Sequence, residues 1–285
     1  MNFAVSNIAW PDPDRLAAYA LLAERGVTGL EIAPGLFFSG AEDPFVPDAA
    51  LAEARMGEMT GHGLRLVSMQ ALLFGVEGAA LFEGPEALER LETGMIRAID
   101  LAARFGIPNL VFGSPKQRII PDDMTPEAAR DHAAEVFARL GTRAQAGGTV
   151  IAMEANPVQY GTNFLTCAED AVSFVRYVDH PGVRMVMDIG TMHLNDAFDQ
   201  TGAVIDAAAS LLSHVHISEP FLAPAPAESD TAVSVLRALE NAGYDKWTSI
   251  EMKAATPDPI AALRGAVDRL LAGAHRLHGT APVAT

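Results

Sequence analysis

A single-domain α/β protein built as a closed (β/α)8 barrel is the fold class this 285-residue chain predicts, on three observations. Eight short apolar runs alternate strictly with eight helical segments, the pattern of a parallel sheet covered by helices. Eight such units at this length favour a closed barrel. The rival, an open doubly wound sheet, carries a Gly-x-Gly-x-x-Gly turn after its first strand. Here that position reads Asn7-Ile8-Ala9-Trp10, which is not glycine-rich.

The elements follow in order. The stretch from Phe3 to Trp10 holds the first strand, ending in Asn7, and Pro11-Asp12-Pro13-Asp14 opens a helix. Leu16, Tyr19, Ala20 and Ala23 recur at helical spacing, so one face of that helix is apolar, and Gly26 stands where a C-terminal glycine is expected. Gly29 to Ala33 is the second strand, broken by Pro34-Gly35. The apolar, proline-containing segment through Pro47 reads as a long loop. A helix from about Asp48 to Thr60 leads to strand three, Leu64 to Gln70. Pro85 sits at the first turn of the next helix, whose face is Leu88, Leu91, Met95, Ala98, Ala102 and Phe105. Strand four is Asn109 to Phe112, and Thr125-Pro126 caps a helix ending near Gly147-Gly148. Four more strands then alternate with helices at about 167–179, 201–212 and 229–243, and a last helix after Pro259 ends near Leu271. The barrel is assigned to residues 1–272 and a surface tail to residues 273–285.

Composition narrows the function. A net charge of −16 with no Lys/Arg run argues against a nucleic-acid partner and suits a small metabolite. No apolar run approaches a membrane span, and Met1 to Val5 lacks the basic start of a signal peptide, so the expectation is a cytoplasmic protein without a membrane partner. Cys167, the only cysteine, excludes an internal disulfide or a thiolate zinc cluster and reads as a spectator.

Strands five to eight each end in a metal-ligand type: Glu154, Asp188, His216 and Glu251. In such a barrel functional groups sit at the C-terminal strand ends, and alternation decides which side chains face inward. His214 and His216 share parity; His216 is two residues higher, level with the three acids, and is the ligand chosen. Four ionisable groups aimed at one mouth repel one another unless a cation or protons intervene. Three oxygens and an imidazole suit one divalent ion, with Mn2+ favoured and Mg2+, Co2+ and Zn2+ compatible. Such an ion can chelate a carbonyl and a neighbouring hydroxyl and stabilise the enediolate left when the adjacent carbon loses its proton. Glu154 and Glu251 are the candidates for moving that proton. Glu31, Gln70, Asn156 and Lys253 lie at strand ends and are candidate substrate contacts. Lys116 and Arg118 are candidates for an anionic group, and Trp10, Phe37 and Phe38 for the pocket wall.

The chain resembles the xylose isomerase-like TIM-barrel superfamily, specifically its sugar-phosphate isomerase/epimerase group. The resemblance spans the whole barrel and rests on Ala4-Val5-Ser6-Asn7, Gly29 to Pro34, Met153-Glu154, Met187-Asp188, His216-Ile217-Ser218-Glu219 and Ile250-Glu251 in that order. It implies that Glu154, Asp188, His216 and Glu251 hold the metal and that the two glutamates transfer protons. The expected function is a metal-dependent isomerase or epimerase of a sugar-like hydroxy-carbonyl compound. A lyase eliminating a β-hydroxyl or glycosidic group is the alternative, and a non-catalytic metabolite-binding barrel a third. A homodimer or tetramer is the expectation at family level. Three departures stand out against ketose 3-epimerases. Gly161 occupies the place of a second glutamate, Glu219-Pro220-Phe221-Leu222 replaces a substrate-binding arginine, and His193, the substrate contact the resemblance implies, follows Asp188 by five positions instead of three.

Overall fold

In the computed structural model, which describes residues 1–279, eight parallel strands close into one barrel in sequence order. The strands are β1 Asn2–Ser6, β2 Gly29–Ile32, β3 Arg65–Met69, β4 Asn109–Phe112, β5 Val150–Glu154, β6 Val183–Asp188, β7 Leu212–Ser218 and β8 Trp247–Glu251. Closure is made by β8 against β1, with Ala4 opposite Ser249 and Val5 opposite Ile250.

The α-helices are α1 Arg15–Glu24, α2 Pro34–Phe37, α3 Ala49–Gly61, α4 Pro85–Phe105, α5 Pro126–Ala146, α6 Ala168–Val178, α7 Ile189–Leu194, α8 Thr201–Ala208, α9 Ser229–Asn241 and α10 Pro259–Leu277. Their starts follow local chemistry. Asp48, Thr125 and Asp258 each accept a backbone N–H from the first turn of α3, α5 and α10, and proline occupies the first turn of α4, α5 and α10. Two short helices, α2 and α7, interrupt the strict alternation read from sequence. Both follow a strand end at the mouth and are too short to carry a periodic signal.

The last helix runs six residues beyond its expected end at Leu271. Gly273, where the sequence suggested a tail, lies inside α10. A Cβ there would fall 2.8 Å from the Ala232 Cβ and 3.1 Å from the Ser229 carbonyl, so this glycine permits close approach of α10 to α9. The part of the assigned tail from residue 280 onward lies outside the described residues. Among the described residues no helix is long and apolar enough to cross a membrane.

Strand alternation divides the interior in two. Val5, Leu30, Ile32, Met69, Phe112, Ile151, Met153, Met187, Val215, Ile217 and Ile250 face outward into the main core beneath the helices. The inward faces carry Ser6, Glu31, Ser68, Glu154, His214, His216, Ser249 and Glu251, all buried, with only Val111, Ala152 and Val186 forming a separate apolar cluster. The barrel's centre is therefore unusually polar, and buried polar groups of this kind must be paired.

Candidate metal centre at the barrel mouth

The C-terminal ends of β5 to β8 converge on one point. His216 Nδ1 lies 3.0 Å from Glu154 Oε1, 3.3 Å from Glu251 Oε2 and 4.0 Å from Asp188 Oδ2. One candidate ligand atom from each of the four residues falls within 4.8 Å of all the others. Register explains the convergence: Asp188 is opposite His216, and Ser218, two residues further, is opposite Glu251.

The electrostatics are those of crowded acids. Burial, opposed by His216 and reinforced by the charges of Glu154 and Asp188, pushes the Glu251 carboxyl up to about 7. Burial together with the Glu154 charge also raises Asp188. Burial alone would lower His216, but Glu251 and Glu31 outweigh it and hold the imidazole well above its ordinary value. A buried group of three carboxylates around one imidazole fits a divalent cation, because a cation supplies the countercharge that only protons provide otherwise.

Each ligand candidate is held by its own partners. Asp188 caps α7: Oδ1 accepts the Thr191 N–H at 2.6 Å, while Oδ2 accepts the Ser218 hydroxyl. The Ser218 oxygen in turn accepts the Gly190 N–H at 2.8 Å. Sequence reasoning missed Ser218, although its parity with His216 on β7 marks it as facing inward. Glu154 Oε2 accepts a hydrogen bond from Asn156 Nδ2 at 3.0 Å, and Arg118 Nη2 donates to Asn156 Oδ1 at 2.8 Å. Gly113 makes this possible, since a Cβ there would sit 2.5 Å from Glu154 Oε2.

Arg118, a candidate for an anionic group from its sequence, is fully buried, and burial, opposed by the Glu154 charge, lowers its guanidinium to about 10. It reaches the site only through Asn156. Replacing it in Arg118→Met is expected to free the Asn156 amide and lower metal affinity about tenfold, read by calorimetric titration. Wild-type affinity would show that Glu154 is oriented without this chain of bonds.

The other candidate residues fall into two groups. Asn156 and Lys253 line a cavity of about 470 Å³ above the ligands, together with Tyr160 and Phe221. Glu31 is wholly buried against His216 and is not part of this lining. Gln70 accepts a hydrogen bond from Ser6 at 2.9 Å outside this lining. His193, on α7, stacks on Phe198 with ring centres 4.4 Å apart and comes no nearer than 4.0 Å to Glu219; it too is outside the lining. Trp10, Phe37 and Phe38 pack in the main core and form no wall of the mouth. The aromatic wall comes from later loops. Phe221 is 58% exposed, its N–H donates to Tyr160 Oη at 2.9 Å, and Phe221 and Leu222 both take left-handed backbone with φ of 58°. Cys167, before α6, is half-buried, and burial raises its thiol to about 11, consistent with a spectator.

A closed (β/α)8 barrel with a carboxylate–imidazole cluster at its C-terminal mouth defines the class. Residues 19–272 match the family model of the xylose isomerase-like TIM barrel, and the chain belongs to that family. Among curated proteins, D-psicose 3-epimerase from Ruminiclostridium cellulolyticum is 38% identical over 55 residues, a segment covering 19% of this chain and 18% of that enzyme. Among solved structures, 3-keto-D-glucoside 4-epimerase YcjR from E. coli superposes with a TM-score of 0.75 at 18% identity, covering 95% of this chain and 99% of that one. D-psicose 3-epimerase with D-tagatose from Clostridium cellulolyticum H10 superposes with a TM-score of 0.73 at 16% identity, covering 98% and 99%. At these identities the structural likeness establishes the fold.

Proposed function

We propose that this protein is a divalent-metal-dependent epimerase or isomerase of a sugar or sugar-derived hydroxy-carbonyl compound. The observation that carries the reading is the placement of Glu154 Oε1 and Glu251 Oε2 within 3.3 Å of one buried His216 nitrogen, beneath an open cavity of about 470 Å³. Glu154, Asp188, His216 and Glu251 would hold the ion, with Mn2+ favoured. Bound there, it would supply Lewis acidity toward a carbonyl and its neighbouring hydroxyl.

The chain's own groups account for the rest. Glu154 and Glu251 enter from β5 and β8, on either side of His216, and each can take or return a proton at the carbon beside the carbonyl. Asn156, anchored by Arg118, holds Glu154 in place. Tyr160 and Phe221 cover part of the cavity and exclude water from the reacting carbon. Lys253 is the cation of the lining and can meet a substrate hydroxyl or oxyanion. The similar proteins named as sugar epimerases support this class of substrate. The absence of the glutamate and arginine found in ketose 3-epimerases argues for a carbohydrate other than a free ketohexose.

The test is incubation of the Mn2+-loaded protein in D2O with D-psicose, D-fructose and a 3-keto-D-glucoside. Deuterium at the carbon beside the carbonyl, with an epimeric or isomeric product, is expected for at least one of them, and the rate should fall at least a hundredfold in Glu154→Gln. An unsaturated product would replace this reading with an elimination. No exchange from any of the three would count against a sugar epimerase.

A further inference from the structure

Below the four converging side chains lies a fourth carboxylate that the proposed chemistry does not use. Glu31, on β2, crosses the barrel interior to β7, where its Oε2 lies 3.1 Å from His216 Nε2 and 2.9 Å from His214 Nε2. All three side chains are fully buried. The two imidazoles stand edge to face, 5.2 Å apart at an interplanar angle of 87°, on the same face of one strand.

We propose that Glu31 is a positioning residue: it accepts the Nε2 proton of His216 and so aims the lone pair of Nδ1 at the cluster formed by Glu154, Asp188 and Glu251. The inference rests on reading those four residues as cation ligands. A neutral imidazole has one N–H and one lone pair, and only the lone-pair nitrogen can bind a cation. An ionised carboxylate is an acceptor alone, so a Glu31 oxygen 3.1 Å from Nε2 requires the proton there. With a cation in place of the Nδ1 proton, Nδ1, 3.0 to 4.0 Å from the three acids, offers its lone pair to the cluster.

His214 completes the arrangement. It approaches the same Glu31 oxygen from two residues lower on β7 and restricts the carboxylate to this position. Full burial excludes a role for Glu31 in binding substrate. The cost of burying a carboxylate is large unless it is paired, and its pairing here is to the side chain at the centre of the mouth. Carboxylates bonded to the far nitrogen of a ligating histidine set its tautomer and raise its basicity, and losing one typically lowers metal affinity about 10–100-fold.

The experiment compares the full-length wild type with Glu31→Gln and Glu31→Leu, by calorimetric titration with Zn2+ and Mn2+ and by the 15N spectrum of labelled histidines in the Zn2+ form. Wild type is expected to show His216 ligated through Nδ1 and protonated at Nε2. Glutamine retains a carbonyl acceptor but no charge, so Glu31→Gln should keep that spectrum and lose about tenfold in affinity. Leucine removes the acceptor, so Glu31→Leu should lose about a hundredfold and no longer show the single Nε2–H signature. Wild-type affinity and spectrum in both variants would overturn the role of Glu31 while leaving the metal reading intact. Absence of Zn2+ and Mn2+ binding in the wild type would overturn both. If Glu31→Leu does not fold, undiminished affinity in Glu31→Gln is itself sufficient to overturn the proposal.

Discussion

Glu251→Gln is expected to stabilise the metal-free protein while lowering its metal affinity at least a hundredfold. The two effects share one cause. Without a cation, burial and the charges of Glu154 and Asp188 disfavour the charged form of the Glu251 carboxyl and raise it from the ordinary 4.5 to about 7. At about 1.4 kcal/mol per unit, removing that charge restores up to about 3 kcal/mol above pH 7, and relaxation of the open mouth reduces this to about 1–2 kcal/mol. With a cation in the proposed site the same carboxylate would be a ligand, and its loss should exceed the 10–100-fold typical of a partner one bond further away. His216→Ala should have the opposite effect on the metal-free protein. Removing the imidazole leaves the carboxylates without their countercharge, at a cost of about 3–5 kcal/mol. Denaturant midpoints at pH 8 in chelator, with metal content measured in parallel, check both variants. A destabilised Glu251→Gln that still binds metal normally would refute the cluster as a cation site.

The stability difference between the metal-loaded and chelator-treated protein should widen as pH rises from 6 to 8. In the metal-free form Glu251 binds its proton more tightly when folded than when unfolded, so its contribution to stability falls between about pH 4.5 and 7. His216, raised when folded, contributes stability that is complete below its unfolded value of about 6.5 and is lost as pH rises through its higher folded value. Both groups make the metal-free protein weaker toward pH 8. Cation binding requires the deprotonated ligands, so its stabilisation grows over the same range at constant free metal. The titration of surface groups is common to both forms and cancels in the difference. Thermal unfolding at pH 6, 7 and 8 reads the effect; a constant or narrowing difference would show that protons and metal do not compete for these side chains.

Much of the frame was legible in the chain. The barrel depends on a repeated local pattern, apolar strand then amphipathic helix, and each repeat carries its own caps and breakers. Strand parity was equally local: it separated His216 from His214 by level and aligned His216 with Glu154, Asp188 and Glu251, which the structure brings together. What parity cannot report is depth across the barrel. Glu31 shares the inward orientation of the ligands, yet its side chain meets His214 and His216 on β7 and does not line the cavity at the mouth. Arg118 is read from sequence only as a candidate for an anionic group, and its burial comes with hydrogen bonds to segments far along the chain, from its guanidinium to Asn156 and from the Thr162 hydroxyl to its carbonyl. Trp10, Phe37 and Phe38 are candidates for an aromatic wall by residue type alone, but they pack in the core, and the folded loop after β7 presents Phe221 instead.

Periodicity and the chemistry of strand ends were thus sufficient to determine a closed barrel and to name the four side chains that meet at its mouth, since each depends on short-range geometry repeated along the chain. The orientation of those four depended on contacts between segments far apart in sequence. Glu31 meets His216 across 185 positions, and Arg118 reaches Asn156 across 38. Such contacts are decided by barrel stagger and by the pairing of polar groups in a space closed to water, and these exist only in the folded protein.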